Sequence, residues 1–211
     1  MTKRGKYIVL EGTDGTGKST QIELLGESLS AIGIESIELN EPEGVPLASA
    51  LRDTIKNGLL PRDAWTNVML FTAARRVNNL QSIQPALERG LWVLSARNWY
   101  STLVYQGNGE GIPEQKIIDY TESNVGPNYM VPDLALILTM NKLAARKTRI
   151  SQRGELSNPD TFESMSDDFQ ERINAGYLDF SKRRRIKTID ASQSREQVQS
   201  DLWVQVQTLL S

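Results

Sequence analysis

Glu11-Gly12-Thr13-Asp14-Gly15-Thr16-Gly17-Lys18-Ser19-Thr20 fits the phosphate-cradling pattern G-x-x-x-x-G-K-[ST] without a gap. Its flanks give the pattern mechanical meaning. Before it, Tyr7-Ile8-Val9-Leu10 is a short apolar, β-prone run; after it, Ile22, Leu25, Leu29 and Ile32 recur at helical spacing until Gly33. Strand, glycine loop and helix in that order turn backbone N–H groups inward around phosphate oxygens, and the helix N-terminus adds its partial positive charge. Lys18 can then reach the outer phosphates, and the Ser19 hydroxyl can ligate Mg²⁺. The chain therefore grips a nucleotide.

Further apolar runs at Ser36–Leu39, Leu91–Leu94, Leu134–Leu138 and Lys187–Ile189 are separated by helical patterns. This βαβ alternation predicts a parallel sheet with helices on both faces, and near-continuous hydrophobicity in Trp92-Val93-Leu94 and Leu134–Leu138 marks central strands. Gly33 should end the first helix, Gly90 precede the third strand and Pro132-Asp133 introduce the fourth. Ligands should gather at the carboxyl ends of the strands.

At 211 residues the chain suits one α/β domain, and no repeat or linker marks a boundary. No apolar run approaches the roughly 18 to 20 residues of a membrane span, and the basic N-terminus passes directly into the first strand without a signal-peptide core, so a cytoplasmic protein is expected. Cysteine is absent, which excludes disulfides, thiolate metal sites and Cys nucleophiles. Histidine is also absent, removing the commonest general base and transition-metal ligand. Chemistry must run on carboxylates, Lys, Arg and Mg²⁺. A net charge of −2 gives no global attraction to nucleic acid, so local Arg and Lys clusters should recognise a small phosphorylated substrate.

Gln106-Gly107-Asn108-Gly109-Glu110-Gly111 reads as a glycine-dense ligand loop. Arg146 to Glu163, with Arg149, Arg153 and Gly154, reads equally as a basic lid closing over phosphates or as a solvated loop.

With the glycine loop, several further blocks stand in order: Glu41-Pro42, Leu70-Phe71-Thr72-Ala73-Ala74-Arg75, the Arg97 turn leading to Ser101-Thr102-Leu103-Val104-Tyr105-Gln106-Gly107, Pro132-Asp133-Leu134, Arg153-Gly154-Glu155-Leu156, Asp160 with Glu163, and Ile189-Asp190-Ala191-Ser192. In this combination the chain resembles the thymidylate kinases, a family of nucleoside-monophosphate kinases, from Lys6 to about Ser192. The resemblance implies the P-loop NTPase fold: a three-layer α/β/α domain over 1–211, with a five-stranded parallel sheet and a helical lid at about 146–163. It implies phosphoryl transfer from ATP to deoxythymidine monophosphate (dTMP), with Mg²⁺, in a homodimer that binds neither nucleic acid nor membrane. Helices including the Phe71-Arg75 element would pack the dimer, and Trp65, Val68 and Met69 suit either that interface or the core.

On a helix Phe71 and Arg75 share one face. By spacing alone they read as a core ring and an exposed cation; the resemblance makes them a base-stacking ring beside a guanidinium. Arg52 and Arg97 match arginines that hold the acceptor phosphate, Tyr105 and Gln106 the sugar-packing and base-reading positions, and Asp14 a carboxylate facing the acceptor's 3′-hydroxyl. Ser101 and Thr102 could add a hydroxyl contact to the base, although one would serve equally as a helix N-cap. The loop and Ala191 would hold ATP. Lys18, Arg97 and a lid arginine, Arg153 or Arg149, would carry catalysis, because the glycine loop contains no Arg. The attacking oxygen is already anionic, so the missing histidine is no obstacle.

The third strand ends Ser95-Ala96-Arg97 where the family usually has Asp-Arg, and the fourth ends in Thr139 where an aspartate is usual. Ser19 with Glu163 is the expected metal pair, with Asp14 or Asn98 as supplementary oxygens. Asn40 stands where an Arg is usual, and Thr161 likewise replaces an Arg; Glu43 replaces a glycine and would oppose an anion unless it points away. Two other readings follow from the same residues: a kinase of another deoxynucleotide or a deoxynucleoside, and a nucleotide-binding regulator with weak catalysis, motivated by Ala96.

Overall fold

The computed structural model describes residues 3–140, 146, 148–150, 161–162 and 165–210. Five strands, β1 (Tyr7–Gly12), β2 (Ser36–Asn40), β3 (Trp92–Ala96), β4 (Leu134–Thr139) and β5 (Lys187–Asp190), form a wholly parallel sheet in the order β2-β3-β1-β4-β5. β1 therefore lies between strands that continue the chain in opposite directions. The crevice beyond its carboxyl end is the topological switch point, where α/β sheets bind ligands.

Every residue of β1 and β3 is buried, as the continuous apolar runs predict. The period of two divides β1 between two cores. Ile8 and Leu10 pack with Ile22, Leu25 and Leu29 of α1 (Lys18–Ala31) and with Val198 and Leu202 of the C-terminal helix Arg195–Val206. Tyr7 and Val9 face the opposite layer, which includes Val68 of α2 (Ala64–Asn78) and Ile173 and Tyr177 of the helix Asp167–Arg184. Each fully buried Leu or Ile contributes roughly 1.5–3 kcal/mol of apolar burial, so the alternation fixes the register.

The strands run one or two residues past their predicted ends at the carboxyl side, because their last residues pair in the ladder: Asn40 with Ala96, Gly12 with Leu138 and Thr139 with Asp190. Helix α1 stops sooner than its periodicity suggests. Ile32 is its C-cap, half exposed, and Gly33 turns the chain at φ 78°. Asp133 ties the start of β4 to β1, accepting from the Tyr7 N–H and pairing with Arg4 and Lys6.

The glycine-dense stretch is not a loop. Leu103–Gly109 continues the short helix Trp99–Thr102 as π-helix, a form that often marks functional sites. Gly109 is packed so closely that a Cβ would meet the Phe169 ring at 2.6 Å. No helix among the described residues is long and apolar enough to cross a membrane. Val68 belongs to the core, and Trp65 packs edge-on to Tyr120; Met69 remains exposed.

Candidate active site

The glycine loop leaves β1 at Gly12, whose φ of 139° and distance of 2.3 Å between a built Cβ and the Leu138 carbonyl leave no room for a side chain. Gly15 and Gly17 adopt φ 84° and 87°, and Gly17 caps α1. Lys18 folds back over the loop, its Nζ donating to the Gly12 and Thr13 carbonyls at 2.9 Å. Thr16 Oγ1 donates to the Thr13 carbonyl at 2.8 Å. Ser19 and Thr20 stand exposed on the first turn.

On the sheet side of this loop lies a cavity of about 290 Å³, close to the lower end of the roughly 300–1,000 Å³ of small-molecule sites. It collects residues distant in sequence: Asp14, Lys18 and Ser19 from the loop, Arg52, Phe71 and Arg75 from helices, and Arg97, Ser101, Thr102, Tyr105 and Gln106 from the end of β3 and the helix after it. Every acceptor-binding position expected from sequence is brought to this one space. Phe162 closes it, its ring centroid 5.9 Å from Phe71 and 5.8 Å from Tyr105.

Arg97 is the organising cation. It is one of two non-glycine residues at positive φ among those described, at 74°, a strained conformation costing about 1–3 kcal/mol and typical of functional positions. Nη2 meets Asp14 at 2.5 Å, Nη1 donates to Ser101 Oγ at 3.0 Å, and the guanidinium lies 5.3 Å from the Tyr105 ring centroid. Tyr105 donates its hydroxyl to the other Asp14 oxygen at 2.9 Å. Burial alone would raise the Asp14 pKa, but Arg97, Lys18 and the Tyr105 hydroxyl hold it well below the usual carboxylate range. Burial opposes the Arg97 charge, and Asp14 more than restores it.

Behind Arg97 stands a group the sequence reading passed over. Glu11, fully buried at the end of β1, accepts from the Asn98 and Ser101 backbone N–H groups at 2.9 and 3.0 Å, from Ser101 Oγ at 2.8 Å and from Tyr177 at 2.7 Å. Its sequence signal is an acid closing an apolar strand, where an unpaired charge would be very costly. Tyr177 gives no such local signal. Asn98, not Ser101 or Thr102, is the N-cap, its side-chain oxygen accepting from Tyr100 N–H. One lone pair of that oxygen is thereby used.

Arg75 is 1% exposed, against the spacing-only reading of an exposed cation. Its Nη1 donates to Thr102 Oγ1 at 2.8 Å, its Nε lies 3.2 Å from Glu41 as an ion pair off the hydrogen-bond direction, and its Nη2 has no protein partner. The guanidinium sits 5.2 Å from the Phe71 ring centroid. Glu41 also accepts from Tyr129. Burial raises the Glu41 pKa to about 7 despite the opposing charge of Arg75. Glu43 does not oppose an anion freely: it pairs with Arg52 at 3.3 Å.

A second hollow lies across the loop, lined by Gly15, Thr16, Gly17, Thr20, Arg149 and Ala191 among others. Arg149 donates to the Ala191 carbonyl at 2.9 Å, so it stands on this side and not over the cavity. It shares that hollow with the glycines of the phosphate loop. Arg146, not singled out from sequence, is 3% exposed with an unpartnered Nε, and its carbonyl lies 3.0 Å from a Cβ built on Gly15. Burial lowers its pKa, and Tyr105 and Asp14 oppose that shift. Arg153, Glu163 and most of the expected lid fall outside the described residues. Among the described residues no cluster of three or more potential metal ligands forms.

A family model described as thymidylate kinase matches residues 10–202. A thymidylate kinase of Nitrosospira multiformis is 36% identical over 208 residues, covering 98% of each chain. Another from Pelotomaculum thermopropionicum is 35% identical, covering 94% of this chain and 91% of its own. One from Afipia carboxidovorans is 36% identical, covering 99% and 91%.

Proposed function

We infer that this chain, which belongs to the thymidylate kinase family, transfers the terminal phosphoryl group of ATP to dTMP and releases dTDP and ADP. The observation that carries the reading is the glycine loop standing between two hollows: one bordered by Thr20, Arg149 and Ala191, the other holding arginines, aromatic rings and an amide suited to a nucleoside monophosphate.

In the cavity, Arg52 and Arg97 hold the acceptor phosphate, and Phe71 stacks on the base. Tyr105 and Asp14 pack the sugar, with the Asp14 carboxylate facing the 3′-hydroxyl. The acceptor's phosphate oxygen is already a nucleophile, so the protein's work is positioning and charge neutralisation. Lys18 supplies charge on the donor side. A lid arginine, Arg153 or Arg149, completes it. Glu11 acts through others, fixing Ser101 and Tyr177 against Arg97.

Mg²⁺ is part of this reading and, when bound, neutralises charge on the ATP phosphates. Ser19 would hold it together with the nucleotide. Asp14 already pairs with Arg97 and Tyr105, and Ala96, which lines the cavity as Ser19 does, offers no side-chain ligand atom. Glu163, outside the described residues, is the expected second contributor. A second copy of the chain packed on α2, where Met69 is exposed, is the assembly we propose, in the cytoplasm; a dimer mass by light scattering checks it.

Incubation with ATP, dTMP and Mg²⁺ should give dTDP and ADP in equal amounts by chromatography. Tight nucleotide binding without acceptor-dependent ADP would instead favour a regulator.

A further inference from the structure

We propose that Glu110 is a specificity-determining positioning residue, forcing the Gln106 amide to present its oxygen to the base and so selecting the thymine edge over the cytosine edge. The inference rests on the reading of the cavity as a pyrimidine-nucleotide site.

Gln106 is fully buried and lines the cavity. Its Nε2 donates to Glu110 at 2.9 Å, and its Oε1 has no protein partner. A glutamine amide presents a donor or an acceptor depending on a rotation about its terminal bond. Here the rotation is decided by groups of fixed polarity. Arg62, a donor only, gives its Nε to Asn67 Oδ1 at 2.6 Å and is anchored to the Leu60 carbonyl at 2.9 Å and to the Ile55 carbonyl. Asn67 must therefore turn its amide nitrogen outward, and it donates to Glu110 at 3.2 Å. Glu110, an acceptor only, takes both amide nitrogens. A flipped Gln106 would set its oxygen against the carboxylate and orphan its nitrogen.

Both residues line the cavity, and each keeps one buried polar atom without a protein partner: Gln106 Oε1, an acceptor, and Arg75 Nη2, a donor. Thymine and uracil present the complement, an N3–H donor beside the O4 acceptor. Cytosine presents N3 as an acceptor and N4–H₂ as a donor, so both contacts would set like against like. Glu110 stands four residues after Gln106, across the glycines of the π-helical stretch, and this spacing lets its carboxylate reach back.

Calorimetric binding of dTMP, dUMP and dCMP to the full chain and to E110Q and E110A tests this. Releasing the amide should lower the dTMP-to-dCMP affinity ratio by about tenfold, the factor set by one lost oriented contact, more in E110A than in E110Q. The dTMP-to-dUMP ratio and ADP affinity should hold, because both bases share the edge and the donor hollow has no lining residue in common with the cavity. Equal weakening of all three ligands, or an unchanged dTMP-to-dCMP ratio in E110A, would overturn the assignment of Glu110. A wild-type preference for dCMP would instead refute the acceptor reading itself. Ratios remain readable if E110A is less stable, and E110Q conserves shape if it is not.

Discussion

Replacing Arg75 by methionine keeps most of the length of a buried side chain and deletes a charge that serves both Glu41 and the cavity. Nη2 is buried without a protein partner, and in the proposed complex it makes one charge-assisted hydrogen bond to substrate, worth about 1.5–3 kcal/mol. Its loss should raise KM for dTMP roughly 10- to 160-fold, with KM for ATP nearly unchanged. The effect on stability depends on Glu41. Its folded pKa, about 7, lies above the ordinary 4.5 of a glutamate, so the native state holds a proton the unfolded state has released. This contribution is fully present below the unfolded pKa and is lost as pH rises through the folded one. The charge of Arg75 is the strongest influence lowering that pKa, so R75M should push it higher and carry the loss further into alkali. Between pH 7 and the new value, R75M should lose about 1.4 kcal/mol per pH unit beyond wild type. Urea unfolding at pH 6, 7 and 8 reads this, and E41Q/R75M should abolish the extra slope. Parallel stability curves for R75M and wild type, or an unchanged KM for dTMP, would refute the reasoning.

Three further outcomes follow from the same geometry. Gly12→Ala drives a methyl group into the Leu138 carbonyl at positive φ, and a cost of roughly 2 kcal/mol should lower Tm by about 4–8 °C; an unchanged melting curve would contradict the tight β1–β4 packing. Asp14→Asn should weaken dTMP binding and remove stability that depends on a depressed pKa. That contribution is present above the ordinary carboxylate range and fades only as pH falls below it, so the wild-type to D14N difference should be flat from pH 5 to 8, and a slope there would count against the Asp14–Arg97 pair. Ala96→Asp places a carboxylate at the end of β3 and should lower the Mg²⁺ concentration giving half-maximal rate; an unchanged titration would mean that Ser19 and the nucleotide suffice.

The sheet was legible because its central strands are buried on both faces and so read as unbroken apolar runs, bounded by Gly90 and by Pro132-Asp133. The phosphate grip was legible because its residues are contiguous. The edge strand β5 is mostly exposed, so Lys187–Ile189 carries the weakest apolar run of the five. The glycines at 107 and 109 misled because composition records flexibility, whereas close packing against Phe169 and Ile173 is what demands a missing Cβ at Gly109. Arg75 and Glu41 show the larger limit. Each reads alone as a surface charge, and only the fold places them together in the interior. Glu11 and Tyr177 meet across 166 positions of sequence, a distance no local pattern spans. Glu110 was equally hidden, because its meaning lies in the direction of the Gln106 amide it holds.

Comparing kcat/KM for dTMP and thymidine at saturating ATP tests the central claim, that the cavity is built for an acceptor already carrying phosphate. Arg52 and Arg97 together should contribute about 3–6 kcal/mol to holding that phosphate, taking each as one charged hydrogen-bonding partner, so dTMP should be favoured by roughly 10²- to 10⁴-fold. Thymidine turning over as well as dTMP, or better, would contradict it.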